Sequence, residues 1–118
     1  MGIPGLIHNS QNGLKRIIAL TQSVGMIQSF ATKETEKFWL RTGASAFDPR
    51  LAERAYRKLQ IIDAAAKLSD LSSLPGNKLE KLRGDREGQY SIRINKQWRV
   101  YFSWSEQGPQ DVEIIDYH

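Results

Sequence analysis

At 118 residues, with 40% apolar and 25% charged side chains, the chain has the makeup of one folded soluble domain rather than a disordered segment. It has no cysteine and only two histidines, His8 and His118, so disulfides and thiolate metal sites are excluded and a histidine-rich metal cluster is not expected. A net charge of +4 is mildly basic, and no apolar run reaches the ~18 residues of a membrane span, so the expected compartment is the cytoplasm, with no membrane partner.

Residues 1–25 hold two basic side chains, Lys15 and Arg16, no acid and four glycines. The apolar run after Arg16 ends at Leu20, which is too short for a secretory signal. One turn or two of helix fit residues 14–21, and the segment reads as an extension preceding a domain at 26–118. A short apolar strand is expected at 26–30. Thr32 can cap a helix that carries Glu34 in its first turn, runs to about Arg41 and stops at Gly43. Asp48-Pro49 is a stronger start signal, a capping carboxylate followed by proline at the first helical position. Behind it, Leu51, Ala55, Leu59, Ile62 and Ala66 recur at helical spacing, while Arg50, Glu53, Arg54, Arg57 and Lys58 lie mostly on the other side. This amphipathic helix should end near 68–70, and Pro75-Gly76 marks a loop over 71–77.

From there the period changes to two. Tyr90, Ile92 and Ile94 alternate with Ser91 and Arg93, and Trp98, Val100, Phe102 and Trp104 alternate with Arg99, Tyr101 and Ser103. Strands at 89–94 and 97–104, joined by a tight turn at Asn95-Lys96, form an antiparallel hairpin. A polar loop at 105–110 leads to a last strand at 111–116. The fold class is therefore α+β, a two-layer arrangement with two N-terminal helices packed on a small antiparallel sheet. Parity places Trp98, Val100, Phe102 and Trp104 beneath the helices, and puts Arg99, Tyr101, Ser103, Arg93 and Ser91 on the open face.

Between Lys78 and Arg99 there are seven basic residues against three acidic ones, whereas the charged residues of 106–116 are all acidic. A phosphodiester backbone suits such a basic patch, because neutralising phosphates releases counterions. A solvated strand face with weak surface ion pairs fits the same facts equally well. The run Gly84-Asp85-Arg86-Glu87-Gly88 suggests an ordered turn held by Asp–Arg pairing. Asp116-Tyr117-His118 ends the sequence, either as a frayed terminus or as a phenol and an imidazole set beside the basic sheet; imidazole exchanges protons near neutral pH. No Ser–His–Asp, Cys–His or phosphate-loop pattern occurs.

Met26-Ile27-Gln28-Ser29-Phe30, the run KLEKLRGDREGQYSIRINKQWRVYF beginning at Lys78, and the terminal Asp116-Tyr117-His118 together resemble the HigB toxins, a branch of the RelE-like ribonuclease superfamily. The resemblance covers Met26 to His118 and is most specific at Leu82-Arg83-Gly84-Asp85-Arg86-Glu87-Gly88, at Trp98-Arg99-Val100 and at the last three residues. It implies a type II toxin–antitoxin component with the compact RelE-like fold. The implied activity is metal-independent cleavage of messenger RNA in the ribosomal A site, with no cofactor. Its implied partners are the 70S ribosome, mRNA and a HigA-like helix-turn-helix antitoxin.

Carried over by position, Arg99 matches the family's phosphate-binding arginine, and Arg83 stands where relatives often have lysine. Asp116, Tyr117 and His118 match the terminal functional residues, with His118 the first candidate for proton transfer and Tyr117 for packing on a base. Where relatives carry histidine ahead of Gly84, this chain has Glu80; a carboxylate can serve as general base, or can simply pair with Lys78, Lys81 or Arg83. Lys78, Lys81, Arg86 and Arg93 are the expected RNA-binding cations. The competing reading is a catalytically inactive RelE-like module that binds an antitoxin and acts in transcriptional autoregulation.

Overall fold

Asp48 and Pro49 start the longest helix as their types require: the Asp48 carboxylate accepts from the Arg50 amide at 2.8 Å, and proline fills the first helical position. The computed structural model describes residues 26–43, 45 and 47–117. Residues 14–21, where a helical turn was expected, lie outside them. Helix α1 spans Lys33–Leu40 and α2 spans Pro49–Ala64. A five-residue α3 follows at Leu68–Ser72, and a 3-10 turn at Pro75–Asn77. The sheet comprises β1 (Glu80–Lys81), β2 (Gln89–Arg93), β3 (Trp98–Ser105) and β4 (Gly108–Asp116), in that order and antiparallel throughout.

The helix boundaries correct three expectations. Thr32 caps α1, but the left-handed residue that ends it is Arg41 (φ 58°) rather than Gly43, and the Arg41 guanidinium lies 3.9 Å from the Tyr56 ring centroid. That cation–π contact offsets the backbone penalty of a non-glycine residue there. The amphipathic helix does not reach 68–70. It ends at Ala64 because the Asp70 carboxylate accepts from the Ala66 and Lys67 amides and starts α3 as a separate piece. Buried Ala65 therefore takes the inward place expected of Ala66. The loop expected over 71–77 is the end of α3 followed by the 3-10 turn.

The strands differ at their ends. Residues 26–30 run along the outer edge of β4 and form one parallel bridge, Phe30 to Val112, with the Val112 amide donating to Ser29 O and the Ala31 amide to Val112 O. β4 begins at Gly108 rather than 111, so the turn from β3 is shorter than expected. A bulge between Tyr101 and Ser103 absorbs the register change opposite Asp111, which adopts φ 53°, a conformation aspartate tolerates. Glu80–Lys81 is an edge strand that alternation could not reveal, since two residues have no period.

One face of the sheet makes the core as the parity requires. Ile92, Ile94, Val100, Phe102, Val112 and Ile114 meet Leu51, Ala55, Leu59 and Ile62 of α2, and Trp98 and Trp104 pack at the margin. α1 is tied to this layer by a buried hydroxyl. Thr35 Oγ1 accepts from the Ile114 amide at 3.2 Å and from Thr32 Oγ1 at 2.9 Å. Thr35→Val leaves that buried amide without its partner and should lower the urea-unfolding free energy by about 1–3 kcal/mol, whereas Thr35→Ser should recover most of the loss.

Candidate functional site

On the second face the sheet lines up a row of polar side chains: Glu80, Ser91, Tyr101 and Glu113 are successive partners across β1 to β4. The adjacent row is Arg93, Arg99 and Ile115. This face was expected to be open, and there the structure corrects the expectation. Arg99 is 5% exposed and Tyr101 8%, because residues 78–80 and Arg86 fold over them from one side and the chain's tail from the other.

Arg99 is the most tightly held group on this face. Its Nε donates to Ser91 Oγ at 2.7 Å, and its Nη2 donates to Lys78 O at 2.6 Å and Ser91 O at 3.4 Å. Lys78 sits at φ 48° at the end of the 3-10 turn, and this left-handed turn presents its carbonyl to the guanidinium. Glu80 Oε1 lies 4.0 Å from Nη2, with the carboxylate half exposed. Glu80 thus pairs with Arg99 rather than with Lys78, Lys81 or Arg83. Among the described residues no hydrogen bond takes Nη1, whose two N–H groups remain as a donor edge.

Tyr117 lies against the same guanidinium, its ring centroid 5.6 Å from the arginine's central carbon. The tail is held there by Gln97: the Tyr117 amide donates to Gln97 O, and Gln97 Nε2 donates to Asp116 Oδ2 at 3.0 Å. Asp116 itself is opposite Trp98, so parity directs it away from Arg99, and the structure does not bring it into the arginine's cluster. His118 lies outside the described residues.

Arg86 stacks over Tyr101 at 5.0 Å, donates to Gln89 Oε1 at 3.2 Å and pairs with Glu113 at 3.6 Å. The turn at 84–88 is therefore anchored through Arg86 and Glu113, and among the described residues the Asp–Arg pairing expected within it does not form. Burial, reinforced by the neighbouring Tyr117, pushes the Tyr101 phenol above its ordinary value, with Arg86 and Arg99 opposing more weakly. At neutral pH Tyr101 is consequently a neutral hydrogen-bonding group and not a base. Lys81, opposite Tyr90, projects toward the other face, and Arg83 is exposed ahead of the second 3-10 turn. Lys78 is exposed, and Arg93 is half-buried beside Arg99.

The structure brings together Arg99, Glu80, Tyr117 and Arg86, and it adds Ser91, Tyr101, Glu113 and Gln97. Alternation had put Ser91 and Tyr101 on this face without giving them roles; nothing local in the sequence marks Gln97 or Glu113. The arrangement is one fixed cation whose Nη1 edge takes no hydrogen bond among the described residues, a carboxylate within reach and an aromatic ring, which is the equipment for holding a phosphodiester.

The architecture matches solved toxin structures. The YoeB dimer from Staphylococcus aureus superposes with a TM-score of 0.52 at 22% identity, covering 80% of this chain and 98% of that one. A chain of a YoeB–YefM complex from the same organism gives 0.51 at 20% identity, covering 78% and 97%. These likenesses show a shared fold. The family model described as RelE-like toxin of type II toxin-antitoxin system HigB matches residues 28–118, and the chain belongs to that family. It is 42% identical over 80 residues to Toxin HigB-1 of Vibrio cholerae serotype O1, covering 67% of this chain and 84% of the relative. It is 31% identical over 93 residues to Endoribonuclease HigB of Proteus vulgaris, covering 79% and 100%.

Ser91→Ala should leave the buried guanidinium's Nε without an acceptor. Stability by urea titration should fall by about 1.5–3 kcal/mol, the range for a hydrogen bond to a charged group, and a loss below a few tenths would mean that water replaces the hydroxyl.

Proposed function

We propose that the protein is a ribosome-dependent endoribonuclease toxin that cleaves messenger RNA in the ribosomal A site without a metal, and that a HigA-like helix-turn-helix antitoxin inhibits it. Family membership and the name of the Proteus relative support the ribonuclease reading. The single observation that carries it here is the buried, three-point-held Arg99 with its Nη1 edge uncommitted among the described residues.

In this reaction the ribose 2′-hydroxyl gives its proton to the Glu80 carboxylate, and the 2′ oxygen attacks the adjacent phosphorus. The bond from phosphorus to the 5′ oxygen breaks, leaving a cyclic phosphate, and His118 supplies the proton that makes the 5′-hydroxyl. Arg99 neutralises the charge that builds on the phosphoryl oxygens. Because Ser91 and Lys78 already fix the guanidinium, little reorganisation is needed when that charge develops. Arginine cannot itself exchange the proton at ordinary pH, so the acid and base must come from other groups. With Arg99 almost wholly covered, phosphate entry requires the ring of Tyr117 to move aside. Tyr117 is 45% exposed, and once displaced its ring can pack on a base. Arg86, Arg93 and Lys78 hold the flanking backbone, with Arg83 adding positive charge at the margin. Residues 26–118 carry the activity, with 1–25 an extension, and the protein works in the cytoplasm; among the described residues no helix is long and apolar enough to cross a membrane.

Inducing residues 26–118 should arrest translation and leave cuts within codons of translated messages, mapped by 5′-end sequencing. Arg99→Ala should reduce cleavage by about 100-fold or more while the variant still co-purifies with the antitoxin. Untouched messages with antitoxin binding intact would instead establish the inactive, transcription-regulating module.

A further inference from the structure

Beside the arginine cluster, α2 and the β2–β3 turn enclose a cleft of about 810 Å³ whose charged lining is Arg54, Arg57, Lys58, Lys78, Arg93 and Lys96. None of the described residues lining it is acidic. Six cations around one concavity repel each other, and the described lining does not neutralise them from within. Arg57 pairs with Glu53 at 3.5 Å, but both side chains are largely exposed and such a pair contributes little. Lys58 is held in place: its Nζ donates to Asn77 Oδ1 at 2.7 Å, and buried Asn77 is in turn fixed by donating to Leu71 O at 3.1 Å. Partial burial, and then the nearness of Arg54 and Arg57, push the Lys58 ammonium below its ordinary range, a penalty that a bound anion would relieve.

The cleft joins the arginine cluster. Lys78 lends its carbonyl to Arg99 while lining the cleft, and Arg93 lines it from the position across the ladder from Arg99. We infer that this cleft is a second phosphodiester-binding site, which takes the backbone of the same single RNA strand a few nucleotides from the scissile phosphate. Charged heads on long side chains, those of Arg54, Arg57, Lys78 and Lys96 exposed, suit backbone contacts without base recognition. The strand runs from Arg99 past Lys78 and Arg93 to the solvent face of α2, so α2 serves the core with one side and the substrate with the other. The inference rests on the ribonuclease reading for the identity of the strand, but its test is independent of cleavage.

The probe is a fluorescein-labelled, fully 2′-O-methylated 12-nucleotide RNA, which lacks the attacking hydroxyl, titrated by anisotropy onto the full chain at several salt concentrations. Arg54→Ser/Arg57→Ser should weaken binding by about tenfold and flatten the slope of log K against log salt by about 1.4, as expected when two phosphates of a single strand are no longer neutralised. The thermal melting of the variant should match that of the parent. Unchanged affinity and slope, or no measurable binding by the unsubstituted chain, would overturn the inference. Loss of antitoxin affinity by the variant with RNA binding intact would also overturn it and mark the cleft as a protein-docking face. If the slope flattens as expected while translated messages stay uncut by the parent, the strand-binding cleft stands and the ribonuclease reading falls. If messages are cut and the slope does not change, the reverse holds.

Discussion

The second face of this sheet is organised around one buried cation. A guanidinium that is 5% exposed is costly to bury unless it is hydrogen-bonded, and Arg99 places its Nε and Nη2 donors on Ser91 Oγ, the Ser91 carbonyl and the Lys78 carbonyl. These partners belong to β2 and to the end of a 3-10 turn, while the arginine itself stands on β3, so satisfying the charge draws three segments into one place. The left-handed backbone of Lys78 costs of order 1 kcal/mol, and it is held because it delivers that carbonyl. Once the arginine is fixed, Glu80 is brought to 4.0 Å on one side and the Tyr117 ring to 5.6 Å on the other.

The same demand explains which parts of the molecule could be read from the sequence. Alternation is a local property, and it correctly sorted Trp98, Val100, Phe102 and Trp104 from Arg99, Tyr101 and Ser103. It could not report that residues 78–88 would return across the polar face, because that cover is made by Lys78 O, Glu80 and Arg86 at separations no period encodes. Asp116 had the right neighbours in the chain but the wrong parity. Ile115 and Tyr117 share the side of Arg99, so a residue between them turns the other way and is engaged by Gln97 instead. The end of α2 was misjudged for a related reason: the apolar spacing continues through Ala66, while Asp70, four residues on, competes for the same backbone amides and starts a new helix.

The tail shows how a terminus is kept at a site without being buried. Asn95 Oδ1 accepts from the amides of Gln97 and Trp98, each at 2.8 Å, which stiffens the β2–β3 turn. Gln97 then holds the tail twice, through its carbonyl and its side-chain amide. The order is therefore hierarchical, from turn to glutamine to tail to aromatic ring. The side-chain contacts in this series are exposed or only part-buried, so the ring sits on the guanidinium with far less to hold it than the guanidinium has.

That difference in hold separates two kinds of positive charge in the molecule. Arg99 is desolvated and rigid, so a phosphate reaching it gains a strong interaction at a fixed point, which is what a developing charge requires. Arg54 and Arg57 remain in water on flexible stems, where each attraction is screened and none fixes an atom to within an ångström. Lys58, pinned by Asn77, is intermediate between them. A core helix can carry such solvated cations on its outer side without disturbing its packing, since Leu51, Ala55, Leu59 and Ile62 occupy the inner side alone. The cation proposed for catalysis has no such freedom: it had to be built into the sheet, and the row of Glu80, Ser91, Tyr101 and Glu113 beside it is the polar lining that lets a β-layer bury a charge.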